Sequence, residues 1–342
     1  MLAADLPRFA LASLPTPIEE MPRLSKALGG PRLLVKRDDQ TGLAGGGNKT
    51  RKLEFTLGEA LRAGADRLVT VGGVQSNHCR QTAAAAARAG LACTIILRGH
   101  PPADWNGNLL LDSILGAEVR FSGDRTREEV AAEVVASEKA AGRKPFFVPI
   151  GASDEFGAPG YAVAAEELAA QLKASGLRPD RIVFASSSYG TQAGLCVGAK
   201  ALGLDVAITG IAIDSLLPDL QKGVATLAGA TARRMGLDLS FSPGEILGYD
   251  GYLGGGYAVM GEPEKEAIEL AARREGLLLD PVYTGRAMAG LIDLVRRGEF
   301  GKDETILFWH TGGSAALFAY SRHFVQPGPG TAGTSEPRDA RK

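Results

Sequence analysis

The chain has 342 residues, of which 45% are hydrophobic, and its 38 Lys and Arg residues nearly balance its 39 Asp and Glu residues. This length provides about two domains with a sizeable core, which excludes a small disulfide-stabilised scaffold. Because the opposite charges cancel, no strong field is available to hold a polyanion or an anionic membrane, so we expect neither nucleic acid nor a membrane as a partner.

Short apolar segments alternate with Ala- and Glu-rich stretches of helical length. The predicted strands are RLLVK (32–36), DRLVTV (66–71), CTIIL (93–97), AEVRF (117–121), FFVPI (146–150), RIVFA (181–185), VAITGIAI (206–213) and ETILFWH (304–310). The predicted helices are 77–89, 191–202, 263–275 and 286–297, and Gly90 and Gly203 end the first two. Strands separated by helices need crossover connections, so we predict an α/β fold with mostly parallel, twisted sheets and helices on both faces.

The cysteines and the first residues of the chain indicate in which cellular compartment the protein is expected, and the last residues predict a tail. Cys79, Cys93 and Cys196 lie far apart without metal-ligand spacing, so we expect a reduced cytoplasmic protein that binds no metal. Asp5 lies where a signal peptide would be apolar, and no run of 18 apolar residues occurs. Residues 325–342 are rich in Pro and Gly without apolar periodicity, which predicts a disordered tail.

The first candidate site is the stretch from Gly45 to Gly47 followed by Asn48 and Lys49. Asn48 separates the last glycine from the lysine, which is not the P-loop pattern, although Asn48 is a candidate helix cap. A lysine at a glycine-rich turn, beside the cations Arg51 and Lys52 that lower its pKa, is suited to forming a Schiff base. A solvated basic helix start is the alternative interpretation.

Two further candidate sites are turns between a strand and a helix. Ser76 and Asn77 are cap-type residues, and the free N–H groups of that first helical turn favour a substrate carboxylate, unless the residues only cap the helix. The second turn, residues 186–194, combines hydroxyls with backbone amides at a helix start and predicts a site for one phosphate. It lacks the G-x-G-x-x-G pattern of a dinucleotide site. The residues expected to contact the phosphate are Ser188, Gly190, Thr191, Gln192, Ala193 and Gly194.

The last candidate residues carry hydroxyl groups near the C-terminus. Tyr283 and Thr284 follow Asp280, and Thr311 follows the last predicted strand, so these hydroxyls lie at the sheet edge where open α/β folds bind ligands. Tyr257 lies in a glycine-rich loop. Taken singly, each of these residues is equally consistent with a core or turn position.

Together these sites provide an imine-forming lysine, a carboxylate site, a phosphate site and hydroxyls for a heteroaromatic nitrogen, which are the needs of pyridoxal 5′-phosphate. In this combination the chain resembles the D-cysteine desulfhydrase and 1-aminocyclopropane-1-carboxylate deaminase family over about residues 7–324. The motifs that carry the resemblance are KRDD at 36–39, GGNKTRKLE at 46–54, QSNHCRQTAA at 75–84, SYGTQAGL at 188–195, DPVYTGRAMAGLIDL at 280–294 and HTGGSAALFAY at 310–320.

The resemblance implies the two-lobed, tryptophan-synthase-β-like fold of type II pyridoxal-phosphate enzymes. A large cofactor-binding domain would comprise residues 1–47 and 162–324, and a smaller mobile domain residues 48–161. We also expect a homodimer. The chain departs from the family pattern at Ser187 and Tyr189 in the phosphate loop and in the glycine-rich segment 251–255, so we expect the phosphate contacts and the width of the substrate pocket to differ from the family pattern.

The resemblance also implies residue roles. Lys49 would hold the cofactor and move protons, and Asn48 would meet the cofactor's 3-hydroxyl. Thr284 and Thr311 would address the pyridine nitrogen. The residues implied at the substrate are Gln75, Ser76, Asn77, Tyr257 and Tyr283, of which Ser76 and the two tyrosines would share catalysis with Lys49.

The reaction implied for this family is β-elimination from a small amino acid, and D-cysteine would give pyruvate, sulfide and ammonium. In ring-opening deaminases the motif resembles DPVYEG, with a glutamate that protonates the pyridine nitrogen, whereas Thr284 cannot hold that nitrogen as a cation. Desulfhydrase chemistry is therefore favoured over ring opening. An L-cysteate sulfo-lyase, a ring-opening deaminase and a non-catalytic cofactor-binding protein remain as alternatives.

Overall fold

The computed structural model describes residues 2–325, so nearly all of the predicted tail lies outside the described residues. The strands are β1 (Ile18–Glu20), β2 (Arg32–Lys36), β3 (Arg67–Gly72), β4 (Ala92–Leu97), β5 (Glu118–Phe121), β6 (Pro145–Val148), β7 (Arg181–Ser186), β8 (Ala207–Ala212), β9 (Leu247–Tyr249) and β10 (Thr305–Trp309). The helices are α1 (Pro22–Leu28), α2 (Lys49–Arg62), α3 (Asn77–Ala89), α4 (Gly107–Ile114), α5 (Arg127–Ala140), α6 (Pro159–Ser175), α7 (Gly190–Leu202), α8 (Leu217–Arg234), α9 (Glu262–Glu275) and α10 (Thr284–Arg296).

These strands form two sheets. The larger sheet has the order β1-β2-β10-β7-β8-β9, and the smaller has the order β5-β4-β3-β6. Only β1 pairs antiparallel; the other pairings of named strands are parallel. The predicted α/β class with mostly parallel sheets is therefore confirmed. All eight predicted strands are present with slightly shifted ends, while the short edge strands β1 and β9 were not predicted.

Each sheet has its own apolar core. Leu33, Val183 and Ile306 of the larger sheet are buried against the apolar side of α10. Leu68 and Ile95 of the smaller sheet are buried against the alanines of α3, which explains the run of alanines in that helix. The structure therefore has two lobes. The predicted domain boundaries and the mobility of the smaller domain stay predictions.

Helix α2 connects the two lobes, because it packs against α3 on one side and α6 on the other. Helix α7 in turn packs closely on α6. A Cβ atom on Gly194 would lie 2.3 Å from the Ala158 carbonyl oxygen, and one on Gly198 would lie 2.5 Å from the Ala165 Cβ, so both positions need glycine. This packing fixes the starts of α2 and α7 relative to each other.

Across residues 2–325, no helix is both long and apolar enough to cross a membrane.

Candidate active site

A cavity of about 540 Å³ lies where the carboxyl ends of strands from both sheets meet. Parallel strands end at one edge of a sheet, so the polar loops after them converge there. The lining residues include Asn48, Lys49, Gly73, Ser76, Asn77, His78, Gly151, Ser188, Thr191, Asp214, Tyr257, Tyr283 and Thr311. Nine of the fifteen residues expected at the site from the sequence line this one cavity: Asn48, Lys49, Ser76, Asn77, Ser188, Thr191, Tyr257, Tyr283 and Thr311.

Lys49 begins α2 and directs its amine into the cavity. Its Nζ donates to the Asn48 Oδ1 at 2.9 Å and lies 6.0 Å from the centroid of the Tyr283 ring. The pKa of this amine is lowered to about 8, mainly by burial and also by the Arg80 charge, while the Asp280 charge acts against both. The amine is therefore a nucleophile and a base near neutral pH.

Arg51 does not depress the pKa of Lys49, contrary to the sequence-based expectation. Its guanidinium turns away from the cavity and hydrogen-bonds Asp38 at 2.8 and 2.9 Å. The cation that acts on Lys49 is Arg80, 31 positions along the chain. Arg80 donates to the Gly46 carbonyl at 3.0 Å, so it also fixes the loop before Lys49.

The glycine-rich loop before Lys49 needs its glycines. Gly46 has φ +69°, and a Cβ there would lie 1.9 Å from the Asp39 carbonyl oxygen. Asn48 does not cap α2, contrary to expectation. Its Nδ2 donates to the Thr191 Oγ1 at 2.9 Å, and its backbone N–H donates to the Thr311 carbonyl at 3.0 Å. Asn48 thus joins the lysine loop to the phosphate loop and to the end of β10.

Ser76 caps α3, because its Oγ accepts from the Cys79 N–H at 3.2 Å, and it also lines the cavity. Ser76 therefore both caps the helix and belongs to the site, so the two interpretations of the sequence are compatible. Asn77 lines the cavity as well, and its Oδ1 accepts from the Asn108 Nδ2 at 2.9 Å. Gln75, by contrast, turns to α4, where its Oε1 accepts from the Asn108 N–H at 2.8 Å. Gln75 therefore holds the turn before α3 against α4 and does not line the cavity.

Helix α7 begins with an uncapped turn at the phosphate loop. Tyr189 precedes it with φ +67° and makes no side-chain cap bond. The Gly190 N–H donates to the Ser188 carbonyl at 2.8 Å, and the next N–H groups of this turn are available to an anion. Close by, Lys52 Nζ donates to the Ser153 Oγ at 2.9 Å, and this oxygen lies 2.8 Å from the Ser188 Oγ. Burial and the Lys49 charge lower the pKa of Lys52.

The second half of the predicted phosphate loop lies away from the cavity. Gln192 is fully buried and donates to the Leu247 carbonyl at 2.8 Å. Ala193 packs in the core beside α8, and Gly194 contacts α6. The sequence analysis assigned these three residues to the phosphate site because the motif is continuous in sequence. Successive residues of a helix, however, point in different directions. Gly190, at the first position of α7, is also absent from the cavity wall, and a Cβ there would meet Ser153.

Tyr257 and Tyr283 form a pair on the cavity wall. Their hydroxyl oxygens lie 2.6 Å apart, and their rings meet edge to face with centroids 6.1 Å apart. Burial raises the pKa of both phenols. Both hydroxyls therefore stay protonated at neutral pH; one donates to the other, and the second is able to donate a hydrogen bond to a substrate group.

Thr284 lies beneath the cavity floor and does not face it. Its Oγ1 donates to the Asp280 Oδ1 at 2.7 Å. The buried Asp280 carboxylate also accepts from the N–H groups of Val282, Tyr283 and Thr284 at 2.8 to 3.0 Å. Of the two threonines expected at the pyridine nitrogen, only Thr311 lines the cavity.

His78 and Arg80 are buried partners of the site without a sequence prediction. His78 lines the cavity floor, and its Nε2 lies 2.7 Å from the Thr70 Oγ1. Burial lowers its pKa well below the usual range, so it stays neutral. The sequence does show a histidine and an arginine in the first turn of a helix. It does not show that they contact Thr70 and Gly46, because these partners lie on other elements.

Residues 10–312 match the family described as "Pyridoxal-phosphate dependent enzyme". The chain belongs to this family. Its cofactor is therefore pyridoxal phosphate, as the sequence predicted. The described site fits this group, because it places a lysine amine of lowered pKa across one cavity from an uncapped helix start that is able to accept a phosphate.

Solved structures of similar proteins agree with this membership. An ACC deaminase homologue is 40% identical, with a TM-score of 0.86 over 94% of this chain and 96% of its own. A pyridoxal 5′-phosphate-dependent aspartate racemase (18% identity, TM-score 0.63) and a hydrogen sulfide-producing enzyme from Fusobacterium nucleatum (15% identity, TM-score 0.60) each align over 87% of this chain and over 90% and 95% of their own. At such identities the last two matches show the fold alone, and that fold is type II.

Proposed function

We propose that this pyridoxal-phosphate enzyme is a carbon–sulfur lyase that eliminates the sulfur substituent from the β-carbon of a small amino acid. D-Cysteine, the substrate that the sequence resemblance implies, would give pyruvate, sulfide and ammonium. The observation that carries the proposal is that, within residues 2–325, both positions that the family pattern assigns to the pyridine nitrogen are threonines and neither carries a carboxylate. Thr311 lines the cavity, whereas Thr284 lies behind the cavity wall on Asp280, whose carboxylate is already bound by four donors.

Bound pyridoxal phosphate supplies an electron sink for negative charge at the α-carbon. A neutral hydroxyl leaves this sink weaker than a carboxylate would, because it does not hold the ring nitrogen as a cation. Elimination tolerates a weaker sink, since the leaving group departs with the electron pair as soon as the α-proton is lost. Ring opening has no α-proton to remove and depends on a strong sink.

The residues of the cavity have distinct tasks in this reaction. Ser76 and Asn77 bind the substrate carboxylate at the start of α3, where N–H groups and the helix dipole favour an anion. The Lys49 amine takes the α-proton, for which a pKa of about 8 is suitable. The Tyr257–Tyr283 pair donates its one free hydroxyl hydrogen to the departing group, because both phenols stay protonated.

The second candidate is ring opening of 1-aminocyclopropane-1-carboxylate, which the 40% identical ACC deaminase homologue favours. An assay of 2-oxo acid release from the holoenzyme separates the two. The sulfur amino acids tested are D-cysteine, L-cysteine and both cysteates, which would give pyruvate, and the cyclopropane substrate would give 2-oxobutyrate. We expect kcat/KM for the best sulfur amino acid to exceed that for the cyclopropane substrate by at least about tenfold, which corresponds to about 1.4 kcal/mol in the activation barrier. Equal or reversed efficiencies would contradict the argument from Thr284.

A further inference from the structure

Two arginines on the cavity wall have no task in the reaction described above. Arg98 directly follows β4, and Arg127 is the first residue of α5; both line the cavity. Within residues 2–325, the Arg98 guanidinium has no hydrogen-bond or ion-pair partner. Among the same residues, Arg127 contacts only the exposed Glu128, through Nε at 3.0 Å. The Arg98 guanidinium and the two terminal amino groups of Arg127 are therefore available to a ligand.

The arginines lie beside the turn that is proposed to bind the substrate carboxylate. The Arg98 N–H donates to the Gly72 carbonyl at 3.0 Å, which places Arg98 one strand away from the turn that contains Ser76. Burial raises the pKa of the Cys79 thiol in the first turn of α3, and the Arg127 charge acts against this rise. Both cations thus lie near the start of α3.

Arg98 does not lie beside the phosphate loop. In the smaller sheet β4 and β6 flank β3 on opposite sides, so their ends are separated by about 10 Å, twice the usual strand spacing. The end of β6 leads to Gly151, where a Cβ would lie 2.2 Å from the Ser188 Oγ of the phosphate loop. Arg98 therefore faces the opposite part of the cavity.

The cations that line the cavity, Lys49, Arg98 and Arg127, outnumber its one lining carboxylate, Asp214. Asp214 lies at the phosphate loop, where its Oδ2 accepts from the Ser187 Oγ at 2.6 Å. Glu128, which pairs with Arg127, does not line the cavity. The forked N–H groups of arginine suit planar or trigonal oxyanions, such as carboxylates and sulfonates.

We propose that Arg98 and Arg127 bind a second acidic group on the substrate side chain, so that the preferred substrates are α-amino acids with an anionic group on the β-carbon. This inference rests on the proposed function and narrows its substrate to cysteate, because a sulfonate is able to leave and a carboxylate is not. The carbon–sulfur bond breaks, and sulfur keeps the electron pair and departs as sulfite. Lys49 takes the α-proton, and the remaining three-carbon enamine tautomerises and reacts with one water to give pyruvate and ammonium.

The test compares the wild-type holoenzyme with Arg98→Gln, Arg127→Gln and the double variant. Calorimetric titration with aspartate and alanine measures binding without a sulfur leaving group, and pyruvate release measures turnover of both enantiomers of cysteate and cysteine. We expect wild type to bind aspartate at least about tenfold more tightly than alanine and to turn over cysteate more efficiently than cysteine. The double variant should lose both preferences and keep its alanine affinity, which shows that the site is intact.

Arg125→Gln is the matched control, because Arg125 precedes α5 but pairs with the exposed Glu133. It should leave both preferences unchanged. Equal wild-type affinities for aspartate and alanine, or variants that weaken both ligands alike, would overturn the role of the arginines, while continued elimination from cysteine would leave the proposed function intact. Conversely, if no sulfur amino acid yields pyruvate, the proposed function fails, and an arginine-dependent preference for aspartate would still support the anion site.

Discussion

At the scale of single residues, the Lys49 amine controls how the protein takes up its cofactor. Only the neutral amine attacks an aldehyde, and the pKa of Lys49 is lowered from 10.5 to about 8. We therefore expect the rate of covalent cofactor attachment to the apoprotein to rise with pH and level off above about 8. Stopped-flow absorbance at saturating pyridoxal phosphate measures this rate. Lys49→Ala is the control and should show no covalent attachment, whereas a rate that still climbs near pH 10 would contradict the lowered pKa.

The sequence identified those site residues whose type and immediate neighbours already indicate a chemical role. Lys49 after three glycines and Ser76 at a strand-to-helix turn are local patterns, and both residues line the cavity. The sequence did not indicate which cation acts on Lys49, because Arg80 reaches the lysine loop from another helix. Nor did it separate Thr191, on the cavity wall, from Gln192, which turns toward β9. That distinction depends on how α7 is rotated against α6.

At the scale of secondary structure elements, the lysine loop is held by a backbone contact that only glycine permits. In Gly46→Ala the new Cβ would lie 1.9 Å from the Asp39 carbonyl oxygen at φ +69°. Such overpacking costs about 1–3 kcal/mol, and the backbone at φ +69° and ψ 178°, a region that essentially only glycine adopts, adds about 1–3 kcal/mol. We expect a lower Tm and weaker cofactor binding, measured by calorimetry and by cofactor absorbance.

Gly45→Ala provides a matched control for this prediction. Gly45 also has a positive φ, +83°, but nothing lies within 4 Å of its Cβ position. Gly45→Ala should therefore lower the Tm only by the cost of the unfavourable backbone conformation, without a steric clash. Equal losses of Tm in the two variants would mean that the contact with Asp39 does not constrain the loop.

The regular elements were predicted well because their apolar segments are long and their ends are marked. Helix α3 begins and ends where predicted, since Ser76 caps its start and Gly90 adopts the left-handed conformation at its end. The strands β1 and β9 have three residues each, too few for a periodic pattern to develop. Their pairing depends on neighbours in the sheet, β2 and β8, rather than on their own sequence.

At the scale of the whole molecule, a buried ionic cluster joins α2 to the larger lobe. Arg51 of α2 pairs with Asp38, which follows β2, and with Glu167 of α6. Tyr161 of α6 donates to the Asp38 Oδ2 at 2.6 Å, and Lys36 pairs with Glu167. No local pattern predicts such a cluster, because its members come from three separate segments, the end of β2, α2 and α6. Through it the helix that begins with Lys49 is fixed against the sheet that leads to the phosphate loop.

This cluster should make the stability of the protein depend on acid. Burial raises the pKa of Asp38 and Glu167, but Arg51, together with Tyr161 at Asp38 and Lys36 at Glu167, outweighs it. The pKa of each carboxyl is therefore lowered below its usual value of 3.8 or 4.5. A carboxyl whose pKa is lowered by folding stabilises the folded state fully above its pKa in the unfolded chain, and this contribution is lost as the pH falls below that value. In Arg51→Met we expect a loss of about 3–5 kcal/mol near pH 7, because the buried Asp38 carboxylate loses its only salt-bridge partner within the described residues while Glu167 keeps Lys36.

That loss should shrink as pH falls from about 5 toward 3, since wild type gives up the same contribution when the carboxyls become protonated. Urea unfolding of both proteins across this range, with and without cofactor, measures the difference. Arg32→Met is the control, because Arg32 pairs with Glu20 at the exposed edge of the sheet, and exposed pairs contribute about 0–1 kcal/mol. A difference between wild type and Arg51→Met that stays constant down to pH 3 would mean that Arg51 stabilises the lobes by packing, and that its charge has no part in holding α2 in place.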